Sequence, residues 1–179
     1  MNRPEVKLVP DEIWQGMVRY GVTPSMNIVL DNGRDEFLFV LRGNEPVKGH
    51  LWVPGGRLRN GETREQAVIR IAEEEIGVRA GLYDILHISD RSNEEIYPIA
   101  EMGDQEEAMK RYGPGVKTVH YWGGVSYVKL HSEAAITLDS QSKGYEWLSA
   151  MPKNPHPYLQ WYVDTVKQAG FPVPPPASE

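Results

Sequence analysis

The stretch from Pro54 to Val78 constrains this chain more than any other part of it. Its first half contains paired glycines and an Asn60-Gly61 step, which are typical of loops and turns because glycine adopts backbone angles closed to other residues. Its second half has the pattern of a helix. Thr63 is a good N-cap, Gln66 completes a capping box, and Gly77 is typical of a helix end. Apolar residues recur in between at helical spacing: Ala67, Val68, Ile71, Ala72 and Ile76.

Three consecutive glutamates lie near the end of this predicted helix. At about 100° per residue, Glu74 and Glu75 share the face of Ile71, whereas Glu73 points away. The two carboxylates would then lie beside the Gly55-Gly56 loop. Carboxylate and carbonyl oxygens are the ligands that Mg²⁺ and Mn²⁺ prefer. We therefore expect a divalent cation here, although an acidic run without such a loop would more simply be a solvated helix face.

Two arginines, Arg57 and Arg70, place positive charge on the same loop and helix. A guanidinium group binds phosphate oxygens through paired hydrogen bonds. Together with the expected cation, these arginines favour a phosphorylated substrate.

The spacing of these residues resembles the signature of the Nudix hydrolases, which cleave pyrophosphate-containing compounds. The chain has Gly56, five residues, Glu62, seven residues, Arg70, and then Glu74-Glu75-x-Gly77-Val78. The chain differs from the signature at one position, since Ile71 stands where the signature has a glutamate. This departure makes the chain most similar, within the superfamily, to the GDP-mannose mannosyl hydrolase family. Further residues carry the resemblance: Arg42, Asn44, Pro46, Gly49, His120-Tyr121, Tyr145-x-Trp147-Leu148 and Asn154-x-His156.

The resemblance implies a fold, an activity and a set of site residues. The fold is an α/β/α sandwich with a mixed sheet, in a homodimer. The activity is Mg²⁺-dependent hydrolysis (Mn²⁺ being the alternative cation) of a nucleoside diphosphate sugar of the GDP-mannose type, in which water attacks C1 of the sugar and releases GDP. The implied metal ligands are Gly55, Glu75 and Gln141; the catalytic residues are Arg57, Arg70 and Glu74; the substrate-binding residues are Arg42, Tyr121, Trp14 and Asn27.

Two of the substrate-binding assignments have competing explanations. The resemblance implies that Trp14 stacks on the nucleobase across the dimer, but a tryptophan on a helix is more often part of a core. Asn27 stands where the family has an aspartate, which weakens its expected contact with the sugar.

The general base is not settled by the resemblance. The family has a histidine directly after the glutamine ligand, and this chain has Ser142 there. A serine hydroxyl is far too weak a base at neutral pH, whereas histidine titrates near ~6.5. The candidates to take the proton are His87, His120, His156 and Glu74. Three functions stay open: the sugar-nucleotide hydrolase, a Nudix pyrophosphatase that attacks phosphorus of a nucleotide derivative, and a weakly catalytic nucleotide-binding protein.

Composition restricts the partners and the location. The net charge of −6 argues against general affinity for nucleic acid or anionic membranes. A bound cation nevertheless lets such a protein take a small anionic substrate. The absence of cysteine excludes disulfides and thiolate chemistry and fits a cytoplasmic location. No run approaches the ~20 apolar residues of a membrane span.

The length of 179 residues predicts a single domain over 1–179. Residues 1–10 are expected to be a loose lead-in, 91–116 a polar insertion with a small helix near 106–110, and 172–179 an extended or disordered tail. The predicted helices are 11–20, 63–76 and 158–168, and the predicted strands are 26–31, 36–42, 51–53, 82–88, 118–130 and 145–148.

Overall fold

The structure is a computed structural model that describes residues 9–177. Most of the expected lead-in and the last two residues of the tail therefore lie outside the described residues. The helices are α1 (Asp11–Tyr20), α2 (Arg64–Ile76), α3 (Gln105–Tyr112) and α4 (Pro157–Gln168). The strands are β1 (Thr23–Asp31), β2 (Phe37–Arg42), β3 (Leu51–Trp52), β4 (Gly55–Arg57), β5 (Tyr83–Pro98), β6 (Thr118–Leu130) and β7 (Ser142–Leu148). Within residues 9–177, no helix is long and apolar enough to cross a membrane.

The strands form one seven-stranded mixed sheet. Its main order is β3-β2-β1-β6-β5, with β4 paired to β1 and β7 paired to β2. β1 runs parallel to β6, and the other pairs are antiparallel. The predicted hairpin at Asn32-Gly33 joins β1 to β2.

Strand β1 shows how the layers assemble, because successive side chains of a strand point to opposite faces. Met26, Ile28 and Leu30 lie in the core cluster that contains the apolar stripe of α2. Val29 lies in the cluster formed with α4. Helices therefore cover both faces of the sheet, and the predicted α/β/α sandwich is confirmed.

Helix α2 begins and ends where its sequence predicts. The Thr63 hydroxyl accepts a hydrogen bond from the Gln66 amide at 3.2 Å, and the Gln66 side chain accepts one from the Thr63 amide at 2.8 Å. Gly77 ends the helix at a φ of 73°, a left-handed conformation that favours glycine. The α2 stripe, including Ile71, is fully buried.

Part of the expected insertion is regular sheet. Residues 91–98 continue β5 and pair with β6 as far as Pro98, opposite Thr118. Glu95 and Tyr97 are buried while Glu94 and Ile96 are exposed, which is strand periodicity hidden by polar composition. The excursion from the sheet is shorter than expected and contains the predicted helix, α3, which packs against α1 in a third core cluster.

The proline-rich tail packs against the rest of the protein as far as it is described. Val173 packs against the α4 cluster, and the Pro175 carbonyl accepts a hydrogen bond from the Met151 amide at 2.7 Å. Residues 172–177 are thus held against the body. Proline lowers the entropy lost on ordering such a segment, so a few contacts suffice.

Candidate active site

The site begins where β4 approaches β1 and α2 more closely than a side chain would allow. A Cβ added to Gly55 would lie 2.4 Å from Oδ1 of Asn27, and one added to Gly56 would lie 3.2 Å from Cγ1 of Ile71. Asn27 is buried, and its amide donates to the Gly124 carbonyl at 3.2 Å. The paired glycines therefore set the loop against the end of α2, and Asn27 supports the loop from below.

Arg70 ties the loop to the helix. Its guanidinium donates to both carboxylate oxygens of Glu62, at 2.6 and 2.8 Å, and to the Arg57 carbonyl at 2.8 Å. A weaker bond joins it to Glu74 at 3.2 Å. Hydrogen bonds from Arg70 lower the pKa of Glu62. Arg70, predicted as a catalytic residue, is here fully engaged in positioning its neighbours.

Two carboxylates meet at the end of α2. Burial, and then the neighbouring Asp139 carboxylate, raise the pKa of Glu75 to about 8, while Arg42 opposes the rise. The Asp139 amide donates to the Glu75 carbonyl at 3.1 Å, which holds the 137–141 segment along the helix end. The Arg70 guanidinium also opposes the rise, whereas the Glu74 carboxylate adds to it. The Glu75 side chain is half-buried, and the arginine charges near it do not offset the effects of burial and of the neighbouring carboxylates on its pKa.

These residues fit a divalent cation. Glu75 and Asp139 supply two carboxylates, and Gly55 brings a backbone carbonyl to the same loop. In the described part of the chain no cluster of three or more His, Cys, Asp or Glu side chains could hold a metal on its own. The other ligands would be carbonyl, amide or water oxygens, a set that suits Mg²⁺. Such an ion would offset the burial and the carboxylate repulsion that raise the Glu75 pKa.

Gln141, predicted as a metal ligand, lies in this segment but has its side chain occupied. Its Oε1 accepts hydrogen bonds from Asn44 Nδ2 at 3.1 Å and from Arg111 Nη2 at 3.2 Å. Its Nε2 donates to Asp139 Oδ2 at 3.0 Å. Asp139 is held in turn by Gln141, whose backbone amide donates to Asp139 Oδ1 at 3.0 Å, and the Asp139 carboxylate acts on Glu75 through its charge.

Three arginines surround the predicted substrate residue Tyr121. Burial raises the pKa of Tyr121, and the guanidinium groups of Arg111, Arg42 and Arg57 oppose that rise. None of these three arginines forms an ion pair within residues 9–177. Their charge is therefore available to an anion.

Trp14, the predicted base-stacking residue, is only 8% exposed. Its ring packs against Tyr112, and the Arg57 guanidinium lies 4.1 Å from its centroid. The structure thus places Trp14 in the α1–α3 core, where it positions Arg57 by a cation–π contact.

The NUDIX domain profile matches residues 21–151. The chain belongs to the Nudix family. The helix α2, its glycine loop and the Arg70–Glu62 pair described above are the Nudix signature of this chain. Membership of this family supports a hydrolase activity of the Nudix type.

Individual relatives agree with the family and differ in what they do. The low-salt glycan biosynthesis protein Agl8 of Haloferax volcanii is 26% identical over 164 residues, 88% of this chain and 90% of its own. A Nudix hydrolase from M. smegmatis, RenU, has a TM-score of 0.56 at 17% identity, over 84% of this chain and 87% of that one. A bifunctional NMN adenylyltransferase/ADP ribose pyrophosphatase from Francisella tularensis, complexed with AMP and a Mn ion, has a TM-score of 0.52 at 17% identity, over 88% of this chain and 44% of that one. At these identities the two structures show the fold alone.

Two of the histidines proposed as the base of this Nudix protein have other partners. The His87 ring stacks on Phe171, with centroids 5.4 Å apart. His120 Nε2 lies 3.0 Å from the Glu94 carboxylate, which is exposed. Neither contact joins these histidines to the Glu75–Asp139 corner.

His156 and Glu74 are engaged as well. His156 caps α4, where its Nδ1 accepts a hydrogen bond from the Tyr158 amide at 3.2 Å. Burial, and then His50, lower the pKa of His156, so the neutral ring carries its proton on Nε2 and has no free acceptor nitrogen. Glu74 Oε2 accepts hydrogen bonds from Arg59 at 2.8 Å and from Arg70 at 3.2 Å.

Sequence reasoning missed two residues of the site, Asp139 and Arg111. Asp139 precedes Gln141 by two positions in a polar loop, so the only signal was its proximity to a predicted ligand. Arg111 lies on α3 within the expected insertion, and its contact with Gln141 joins residues 30 positions apart. No local pattern predicts that contact.

Proposed function

We propose that this protein is a Mg²⁺-dependent hydrolase of a nucleoside diphosphate sugar of the GDP-mannose type, in which water attacks C1 and releases the sugar and GDP. The observation that carries the proposal is Ile71. This residue is fully buried beneath Gly56, where the Nudix signature has a glutamate. A site with one carboxylate fewer holds fewer cations around the phosphorus atoms, which favours attack at carbon.

In the proposed reaction the site residues have two roles, cation binding and diphosphate binding. Glu75, Asp139 and the Gly55 carbonyl would hold the cation, which supplies charge neutralisation to the departing diphosphate when bound. Arg42 and Arg57 would bind the diphosphate oxygens and stabilise the negative charge that develops there. The water oxygen forms a bond to C1, and the bond between C1 and the β-phosphate oxygen breaks.

The proton of the attacking water has no strong acceptor in this arrangement. Ser142 lies opposite Arg42 in the β2–β7 ladder, where the family's histidine would stand. The proton would therefore pass to solvent, which predicts slow turnover. A well-placed general base contributes on the order of 10²–10⁴-fold.

The relative from Haloferax volcanii supports a sugar-bearing substrate, since that protein is named for glycan biosynthesis. The proposal includes a cytoplasmic homodimer. Helix α1 supports the dimer, because Ile13, Met17 and Tyr20 are 53%, 45% and 83% exposed on its outer side. Light scattering that shows a monomer at micromolar concentration would overturn the dimer without affecting the chemistry.

One observation favours the runner-up, a pyrophosphatase that attacks phosphorus. Asp139 returns a carboxylate to the corner from which Ile71 removes one. If Asp139 fully replaces the missing ligand, the site would hold the cations that attack at phosphorus requires.

The deciding experiment is a panel of GDP-, ADP- and UDP-sugars incubated with Mg²⁺, with products resolved by mass spectrometry. Free sugar and nucleoside diphosphate are expected. Sugar phosphate and nucleoside monophosphate would support the runner-up, and no turnover of any compound would overturn both.

A further inference from the structure

Helix α3 is attached to the loop between β2 and β3 by several polar contacts. Lys48 forms ion pairs with Asp104 at 2.8 Å and with Glu107 at 2.7 Å. Glu45, itself buried, accepts a hydrogen bond from the Asp104 amide at 2.9 Å. The Tyr112 hydroxyl donates to the Glu45 carbonyl at 2.7 Å. The first and last turns of α3 are thus both fixed to the same loop.

This attachment directs Arg111, in the last turn of α3, into the active site. Its Nη2 donates to Gln141 Oε1 at 3.2 Å. Its Nε is buried and has no hydrogen-bond partner within residues 9–177, and the same holds for Nε of Arg42. An unpaired buried donor is unfavourable, so two of them in one site indicate a missing acceptor.

The charge around these donors indicates what the acceptor is. Burial lowers the pKa of Arg57, and the Arg111 guanidinium lowers it further, as expected for like charges held close together. The side chains of Arg42, Arg57 and Arg111 all act on Tyr121, and none has a carboxylate partner in the described part of the chain. An anion with several oxygens would remove this repulsion and satisfy the free Nε donors.

We propose that Arg111 is a third arginine of the substrate site, which binds the diphosphate of the nucleotide and makes the site prefer a diphosphate over a single phosphate. This proposal rests on the proposed function for the identity of the ligand. The chemistry is that three guanidinium groups offer more donors than one phosphate can use, whereas a diphosphate can engage all three.

Inorganic pyrophosphate and orthophosphate test this subsite without requiring a particular base or sugar. Calorimetric titrations at fixed Mg²⁺ would compare the wild type, Arg111→Gln, Arg111→Lys and Lys110→Gln. Lys110→Gln is the matched control, since it removes the same charge from the adjacent, exposed position of the same helix. Thermal melts would establish that each variant is folded.

We expect Arg111→Gln to weaken pyrophosphate binding by roughly 10-fold or more while orthophosphate binding changes much less. Arg111→Lys should be intermediate, because lysine keeps the charge and loses the fork of donors. Equal pyrophosphate affinity in Arg111→Gln and Lys110→Gln, or a wild type without preference for pyrophosphate, would overturn the proposal. If Arg111→Gln does not fold, Arg111→Lys with wild-type affinity and preference would overturn it. Failure of the protein to hydrolyse any sugar nucleotide would overturn the proposed function. It would not affect the comparison of pyrophosphate and orthophosphate binding.

Discussion

Replacement of Arg70 by alanine should destabilise the protein strongly, although the arginine lies at a site and not in the apolar core. The side chains of Arg70 and Glu62 are only 17% and 11% exposed. Removal of one partner leaves the Glu62 carboxylate buried without its ion pair and the Arg57 carbonyl without a donor. Breaking a buried pair costs about 3–5 kcal/mol, and we expect about 3 kcal/mol at this partial exposure.

Urea unfolding followed by circular dichroism measures this difference. The control is Arg59→Ala, since Arg59 is 45% exposed and, among residues 9–177, its side chain pairs only with Glu74. Such an exposed pair is worth less than about 1 kcal/mol. If Arg70→Ala loses no more stability than Arg59→Ala, the structural role of Arg70 is wrong.

The pH dependence provides a second test of the same pair. Arg70 lowers the pKa of Glu62 below its usual 4.5 in the folded state. A depressed carboxylate pKa contributes stability that is present above the unfolded pKa and lost as the pH falls through the folded pKa. The difference in free energy of unfolding between the wild type and Arg70→Ala should therefore narrow below about pH 4.5. A difference that stays constant with pH would contradict the ion pair between Arg70 and Glu62.

Three further outcomes are expected. Glu75→Gln should abolish most Mg²⁺-dependent activity and most stabilisation by Mg²⁺. Glu73→Gln should change neither, because Glu73 is exposed on the other side of α2. Equal effects of the two substitutions in thermal melts and turnover assays would contradict the cation site. Burial raises the pKa of Glu95 to about 7 from 4.5. The contribution of this side chain to the stability of the fold is therefore complete below the unfolded pKa and is lost as the pH rises through 7. At about 1.4 kcal/mol per pKa unit, the free energy of unfolding of Glu95→Gln should rise by about 3 kcal/mol relative to that of the wild type between acidic pH and pH 8. Denaturant titrations that show no such rise would refute the pKa shift of Glu95. Ser142→His should raise turnover by at least ~10-fold, because it restores a base opposite Arg42; unchanged turnover in a folded variant would mean that the proton leaves by another route.

The elements that the sequence predicts well are those specified by local contacts. Helix α2 has its cap at Thr63 and its end at Gly77, and the β1–β2 hairpin has its turn at Asn32-Gly33, all within a few residues of the backbone they determine. Glu75 follows from the helical period of α2 and the position of the glycine loop. These features needed no knowledge of distant contacts.

The features that sequence reasoning missed depend on distant contacts. Asp139 reaches Glu75 only because the 137–141 segment hydrogen-bonds to the end of α2. Residues 91–98 form sheet because β6 offers a partner strand, which outweighs their polar composition. The occupation of Gln141 by Arg111 likewise depends on how α3 is fixed to the loop after β2.

The central claim is that water attacks carbon, and hydrolysis in ¹⁸O-water tests it most directly. The protein would be incubated with GDP-mannose and Mg²⁺ in labelled water, and the products would be weighed by mass spectrometry. Our account predicts label in mannose and unlabelled GDP. Label in GMP or in mannose phosphate would show attack at phosphorus and contradict the account.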